Sequence, residues 1–157
     1  MTTLKALSVR QPWALAICHG KDTENRTRPT RHRGPIAIHA PKAWDDVGRF
    51  TLLWIADMIG LTPYQAAERD HRGAVLAVAE IVGCHRHRDS THPCHADGAP
   101  ICSPWAARGY WHWQLANVRP LQHPVPARGA AGLWPLPPDV TAAVLAQTEN
   151  AQSPLPQ

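Results

Sequence analysis

The chain has no run of eighteen or more uninterrupted apolar residues, so no segment is long enough to cross a membrane as a helix. Its first residues, Met1 to Lys5, lack the charged-then-apolar layout of a secretory signal peptide. Together these absences point to a cytoplasmic protein with no membrane partner. Cysteine is scarce: Cys18, Cys84, Cys94 and Cys102 are the only four among 157 residues. In a reducing compartment such thiols stay reduced or bind metal, and their spacing matches no standard zinc ribbon. No internal repeat is present, which removes repeat architectures. Charged residues are few as well, 18% against 44% hydrophobic, which excludes the composition of a disordered chain.

What is present is a skewed charge distribution. Residues 1–42 hold eight Lys or Arg against two acids, whereas residues 43–157 hold eight against ten. The first quarter is therefore net +6 and the remainder net −2. Concentrated positive charge raises the local concentration of polyanions, so a phosphate-bearing partner is plausible on charge alone, as is a merely solvated basic face.

The length suits one domain, expected over residues 1–147, with residues 148–157 reading as a disordered tail. Leu4 to Val9 reads as a strand, and Pro12 opens a short helix in which Trp13, Ala16 and Ile17 share a face. Gly20 supplies the backbone freedom of a helix end, which places Lys21 on the following turn. Thr23 to Thr27 reads as extended, so Glu24 and Arg26, two apart, project to one side. Ile36 to Ala40 is a second strand, with His39 facing away from the isoleucines.

Trp44, Val47, Thr51, Trp54, Ile55 and Met58 follow helical spacing over Ala43 to Ile59. Thr62, Pro63 and Gln65 form a capping-box start for a helix to about Asp70. Strands are expected over Gly73 to Val82, Tyr110 to Val118 and within Val125 to Leu136, and a last helix over Pro137 to Gln147. The order predicts an α+β fold in which a small mixed β-barrel is flanked by helices.

Three stretches carry a family resemblance: Leu7-Ser8-Val9-Arg10-Gln11-Pro12-Trp13-Ala14, Gly20-Lys21-Asp22-Thr23-Glu24-Asn25-Arg26, and Arg33-Gly34-Pro35-Ile36-Ala37-Ile38-His39-Ala40. Together they resemble the ASCH domain, the activating-signal-cointegrator homology domain of the PUA-like superfamily. Gly73 to Glu80, Cys102 to Ala106, Tyr110 to Leu121 and Gly129 to Leu136 extend the likeness. It implies a PUA-like barrel with a basic cleft beside the Gly-Lys-x-x-Glu-x-Arg motif, binding RNA, single-stranded nucleic acid or a nucleotide, with no cofactor. In some members it implies catalysis, as an amidohydrolase of N4-acylated cytidines or as a ribonuclease. In the amidohydrolase branch the position of Glu24 is a threonine and a separate downstream glutamate completes the group, for which Glu80 is the candidate.

The site residues expected on these grounds are Ser8, Arg10, Lys21, Glu24, Arg26, Arg31, Arg33, His39, Trp105 and Tyr110. An ion pair with Glu24 keeps Lys21 charged for phosphate contact, whereas desolvation frees it as a base, so Lys21 and Glu24 are the catalytic candidates of an enzyme. Glu24 and Arg26 also suit a purely bracing role. Amides at the start of the first helix, with Arg10 and Ser8, suggest an anion-binding corner. The cations Arg28, Arg31 and Arg33 supply phosphate contact without base readout. Trp105 and Tyr110 are able to stack a base, and Trp105 serves equally as an apolar anchor. Cys84, His85, His87, His92, Cys94, His95 and Cys102 are zinc-ligand types, but C-x9-C-x7-C is not a recognised pairing, and no metal is assigned. A protein-interaction module with a basic face is a third reading of the same charges.

Overall fold

The computed structural model describes residues 3–86 and 101–150. Along the chain lie β1 (Lys5–Ser8), α1 (Trp13–Cys18), β2 (Thr23–Arg26), β3 (Gly34–Ala40), α2 (Gly48–Met58), α3 (Pro63–Glu68), β4 (Ala74–Arg86), β5 (Trp111–Pro126), β6 (Leu133–Pro135) and α4 (Pro138–Asn150). The strands form one mixed sheet, ordered β2-β5-β4-β3-β1-β6 and curled into a half-barrel. The class is the α+β expected, but among the described residues β2 and β6 remain edges and the sheet does not close into a barrel. Among the described strands only β1 and β3 pair in parallel.

Period-two alternation builds the core. Ile36, Ile38, Leu7 and Val9 enter one cluster with Ile17, Ile81 and Trp113, while Ala6 and Ala37 enter another with Val75, Val78, Trp134 and Val144. Helix α1 covers the first face and α4 the second, so β1 and β3 are buried on both sides.

The curl comes from β4 and β5, whose register shifts between Val75 and Ala77, Val78 and Glu80, and Ile81 and Gly83. Extra residues at such bulges bend and twist a strand pair. At the last shift a side chain on Gly83 would collide with Gln114, its Cβ falling 2.1 Å from Oε1. Asn117, at φ 50°, takes the left-handed conformation that Asn tolerates, and its amide donates to Glu80 at 3.2 Å.

Two of the differences from expectation have local causes. Strand β5 runs unbroken through Pro120 and Pro124, because β2 pairs only with Trp111 to Gln114 and, among the described residues, the rest of that side is an edge, where a missing N–H costs little. Gln147 of α4 bonds the edge backbone at His123 in both directions, at 2.9 and 3.0 Å. Helix α2 begins at Gly48 rather than Ala43, since Asp45 N–H is held by the Gln11 carbonyl at 2.9 Å and Gly48 sits at φ 76°. Its apolar stripe is narrower than the spacing suggests: Ile55 and Ala56 are buried, while Trp54 and Met58 stay partly exposed.

Helix α4 extends to Asn150, so residues 148–150 are helical and Thr148 is buried. Residues 151–157 of the expected tail lie outside the described residues. The capping box at Thr62 and Gln65 forms as read, with bonds of 3.1 and 2.9 Å.

Candidate functional site

The motif from Gly20 to Arg26 folds as a buried brace. Gly20, at φ 114°, turns the chain out of α1, and the Lys21 amide returns to the Ala16 carbonyl at 2.9 Å. The Lys21 ammonium, 2% exposed, then donates to the Thr23 carbonyl at 2.5 Å and to Glu24 Oε2 at 2.7 Å. Because Glu24 and Arg26 are two apart on β2, the guanidinium Nε lies 3.1 Å from the other carboxylate oxygen. Arg26 continues to the Ser8 carbonyl at 2.8 Å, which ties the β2 edge to β1 across the curl. Glu80 bonds Asn117 instead and does not join this group.

Ser8 and His39, register partners on β1 and β3, meet at the end of that brace. His39 Nε2 lies 2.8 Å from the Ala127 carbonyl, which can only accept, so the proton sits on Nε2 and Nδ1 accepts. Ser8 Oγ donates to that Nδ1 at 3.2 Å and accepts from the Trp134 indole at 3.1 Å. Burial lowers the pKa of His39 from its usual value, and the bond to Ala127 opposes that shift in part. Gly129 closes over the pair: a side chain there would place its Cβ 2.5 Å from His39 Cε1 and 3.1 Å from Ser8 Oγ.

A cleft of about 520 Å³ opens beside this pair, with Arg10, Lys42 and Arg128 on its walls. A second, of about 350 Å³, is flanked by Arg26, Arg28 and Trp113 and closed by Gly132 and Leu133 of the opposite sheet edge. Among the described residues five cations and no carboxylate line the two, Arg26 being paired with Glu24 behind the wall. Arg10, Lys42, Arg28 and Arg128 are exposed, and such side chains meet an anion at little desolvation cost.

The other expected site residues divide. Ser8, Arg10, Arg26 and His39 come together at these clefts, whereas Lys21 and Glu24 stand behind them. Arg31 and Arg33 are exposed on the loop before β3, where Arg33 bonds the carbonyls of Thr30 and His32. Trp105 is an apolar anchor, buried with Leu15, Ala16, Ile55 and Ile59, and Tyr110 is exposed outside the lining of both clefts.

The anion-binding corner at α1 does not form from its amides. The Trp13 amide bonds the Arg10 carbonyl at 3.0 Å and the Leu15 amide bonds the Gln11 side chain at 2.9 Å. Lys42, Arg128 and Gly129 were not anticipated, since each reaches the cleft only through loops far from the motif in sequence. The Cys18 thiol, pushed up to about 11 by burial, is no nucleophile near neutral pH.

Among the cysteine and histidine residues, Cys84 packs against the core, while His85 and Cys102 approach one another. They are joined by His112, which lies outside that stretch of sequence. His87, His92, Cys94 and His95 lie outside the described residues. No protein-family model matches the chain, and no curated protein matches it with significance.

Proposed function

We propose that the chain is an ASCH-type, PUA-like domain that binds RNA, or a nucleotide, through the paired basic clefts beside Ser8 and His39. One observation carries this reading: five cations from four separated segments converge on two adjoining clefts whose walls, among the described residues, hold no carboxylate. An acid-free wall attracts phosphate and releases counterions when phosphate binds. Trp113, almost wholly buried, backs the smaller cleft, and the Arg26 guanidinium sits 5.9 Å from its ring centroid. Lys21 and Glu24 act here as positioning residues, because their charges are spent on each other and on Arg26.

The test is fluorescence-anisotropy titration of single-stranded RNA and of a mononucleotide against the wild type and Arg10→Ala/Lys42→Ala/Arg128→Ala. For RNA the affinity falls with salt, with a slope of about −0.7 in log–log form per phosphate engaged, and the triple variant flattens that slope. No binding even at low salt, or binding unchanged in the triple variant, rejects the reading.

The contact from Ser8 Oγ to His39 Nδ1 favours a second reading, a hydrolase in the same cleft, because a neutral imidazole held by a carbonyl is the arrangement that activates a hydroxyl. N4-acetylcytidine turnover or RNA cleavage, lost in Ser8→Ala, would establish it.

A further inference from the structure

His85 on β4 and His112 on β5 are directly opposed in register, and the segment beginning at residue 101 brings Cys102 onto them. His85 Nε2 and Cys102 Sγ are 3.3 Å apart, Cys102 Sγ and His112 Nδ1 3.3 Å, and the two ring nitrogens 3.4 Å. The three donor atoms thus form a nearly equilateral triangle.

From this geometry we infer that His85, Cys102 and His112 form a zinc site. Tetrahedral zinc, with Zn–N of about 2.0–2.1 Å and Zn–S of about 2.3 Å, separates N from N by roughly 3.3–3.4 Å and N from S by roughly 3.5–3.6 Å; the N–N edge of 3.4 Å matches, and the two N–S edges of 3.3 Å come within about 0.3 Å. The outer shell agrees. His112 Nε2 donates to the Ala107 carbonyl at 2.7 Å, so the proton is on the outer nitrogen and the Nδ1 lone pair faces the triangle.

A single cation satisfies all three donors at once. Imidazole and thiolate together select zinc over magnesium or calcium.

The support around Cys102 is already fixed. Ser103 Oγ donates to Asp22 at 2.5 Å, the Asn25 amide donates to the Trp105 carbonyl at 2.9 Å, and the Ala107 amide donates back to Asn25 Oδ1 at 2.8 Å. Residues 103–107 are therefore pinned to β2 and its approach. Zinc closes the chain between two residues 17 apart, joining the end of β4 to that pinned segment.

The test uses full-length protein without a histidine tag, incubated with zinc and dialysed, with metal content read by mass spectrometry. The wild type and Cys18→Ser hold about one zinc per chain, and Cys102→Ser and His85→Ala hold less than about one tenth as much. Both variants alter half-buried rather than core positions, and circular dichroism verifies their fold. Cobalt substitution gives intense tetrahedral visible bands and a thiolate charge-transfer band that Cys102→Ser abolishes. Chelation lowers the melting temperature of the wild type by about 5 °C or more and leaves Cys102→Ser unmoved. A zinc content near zero in the wild type, a preference for another metal, or zinc retained in both variants overturns the assignment.

Discussion

Replacing Lys21 by Met tests whether the motif lysine is a brace. The substitution keeps most of the aliphatic stem and deletes an ammonium whose side chain is 2% exposed. Glu24, 11% exposed, is then left with Arg26 alone, at 3.1 Å, and the Thr23 carbonyl loses its donor. Breaking a buried ion pair by removing one partner costs about 3–5 kcal/mol. Because Arg26 stays in place and Glu24 is not fully sealed, the lower end, about 3 kcal/mol, is expected. For a chain of this size that is a fall of about 6–12 °C in melting temperature.

The decisive measurement is a double-mutant cycle by urea denaturation. Glu24→Met alone strands the lysine charge and destabilises by a similar amount. The double variant Lys21→Met/Glu24→Met removes both charges, and Arg26, partly exposed, turns to solvent. It is therefore less destabilised than either single variant. A single variant within about 1 kcal/mol of wild type, or a double variant equal to the sum of the two, refutes the brace.

Gly129→Ala is expected to cost about 1–3 kcal/mol, because its Cβ meets His39 and Ser8 below contact distance, and to weaken RNA binding by displacing the loop that carries Arg128. Urea denaturation and anisotropy read the two effects. The depressed pKa of His39 makes stability fall with pH: the unfolded imidazole protonates first, near 6.5, so the unfolded state holds more protons from there down to the folded value. Over that window the wild type loses up to about 1.4 kcal/mol per pH unit more than His39→Asn, and superimposable pH profiles would sink the idea.

Local signals in the sequence went far where the relevant contacts are local. Gly20 as a helix end, Glu24 and Arg26 on one side of an extended segment, and the capping box at Thr62 each depend on residues within a few positions, and each appears in the structure. Proline was misleading in β5, because its cost depends on whether a neighbour claims that edge, and no window shows where β2 ends. His112 was invisible as a metal donor for the same reason: it meets His85 only through the register of two long strands with three bulges between them. The collision that makes Gly129 necessary comes from His39, which is 90 positions away in the chain.

Strand β2 shows how one short element serves both sites. Its alternate residues face opposite ways, so Glu24 and Arg26 complete the brace that reaches Ser8, while Asn25 between them holds the Trp105 carbonyl and the Ala107 amide. Ala107 in turn receives the outer proton of His112. The basic clefts and the histidine–cysteine triangle are therefore built from neighbouring residues of the same strand, yet through separate hydrogen-bond sets. A shift of β2 along β5 by one residue would exchange the two faces and destroy both sites together. The register Thr23 to Gln114 through Arg26 to Trp111 is thus the structural quantity on which both proposals depend. It accounts for a charged motif whose lysine and glutamate are almost wholly buried: their pairing holds the strand in that register while the exposed cations of the surrounding loops line the two clefts.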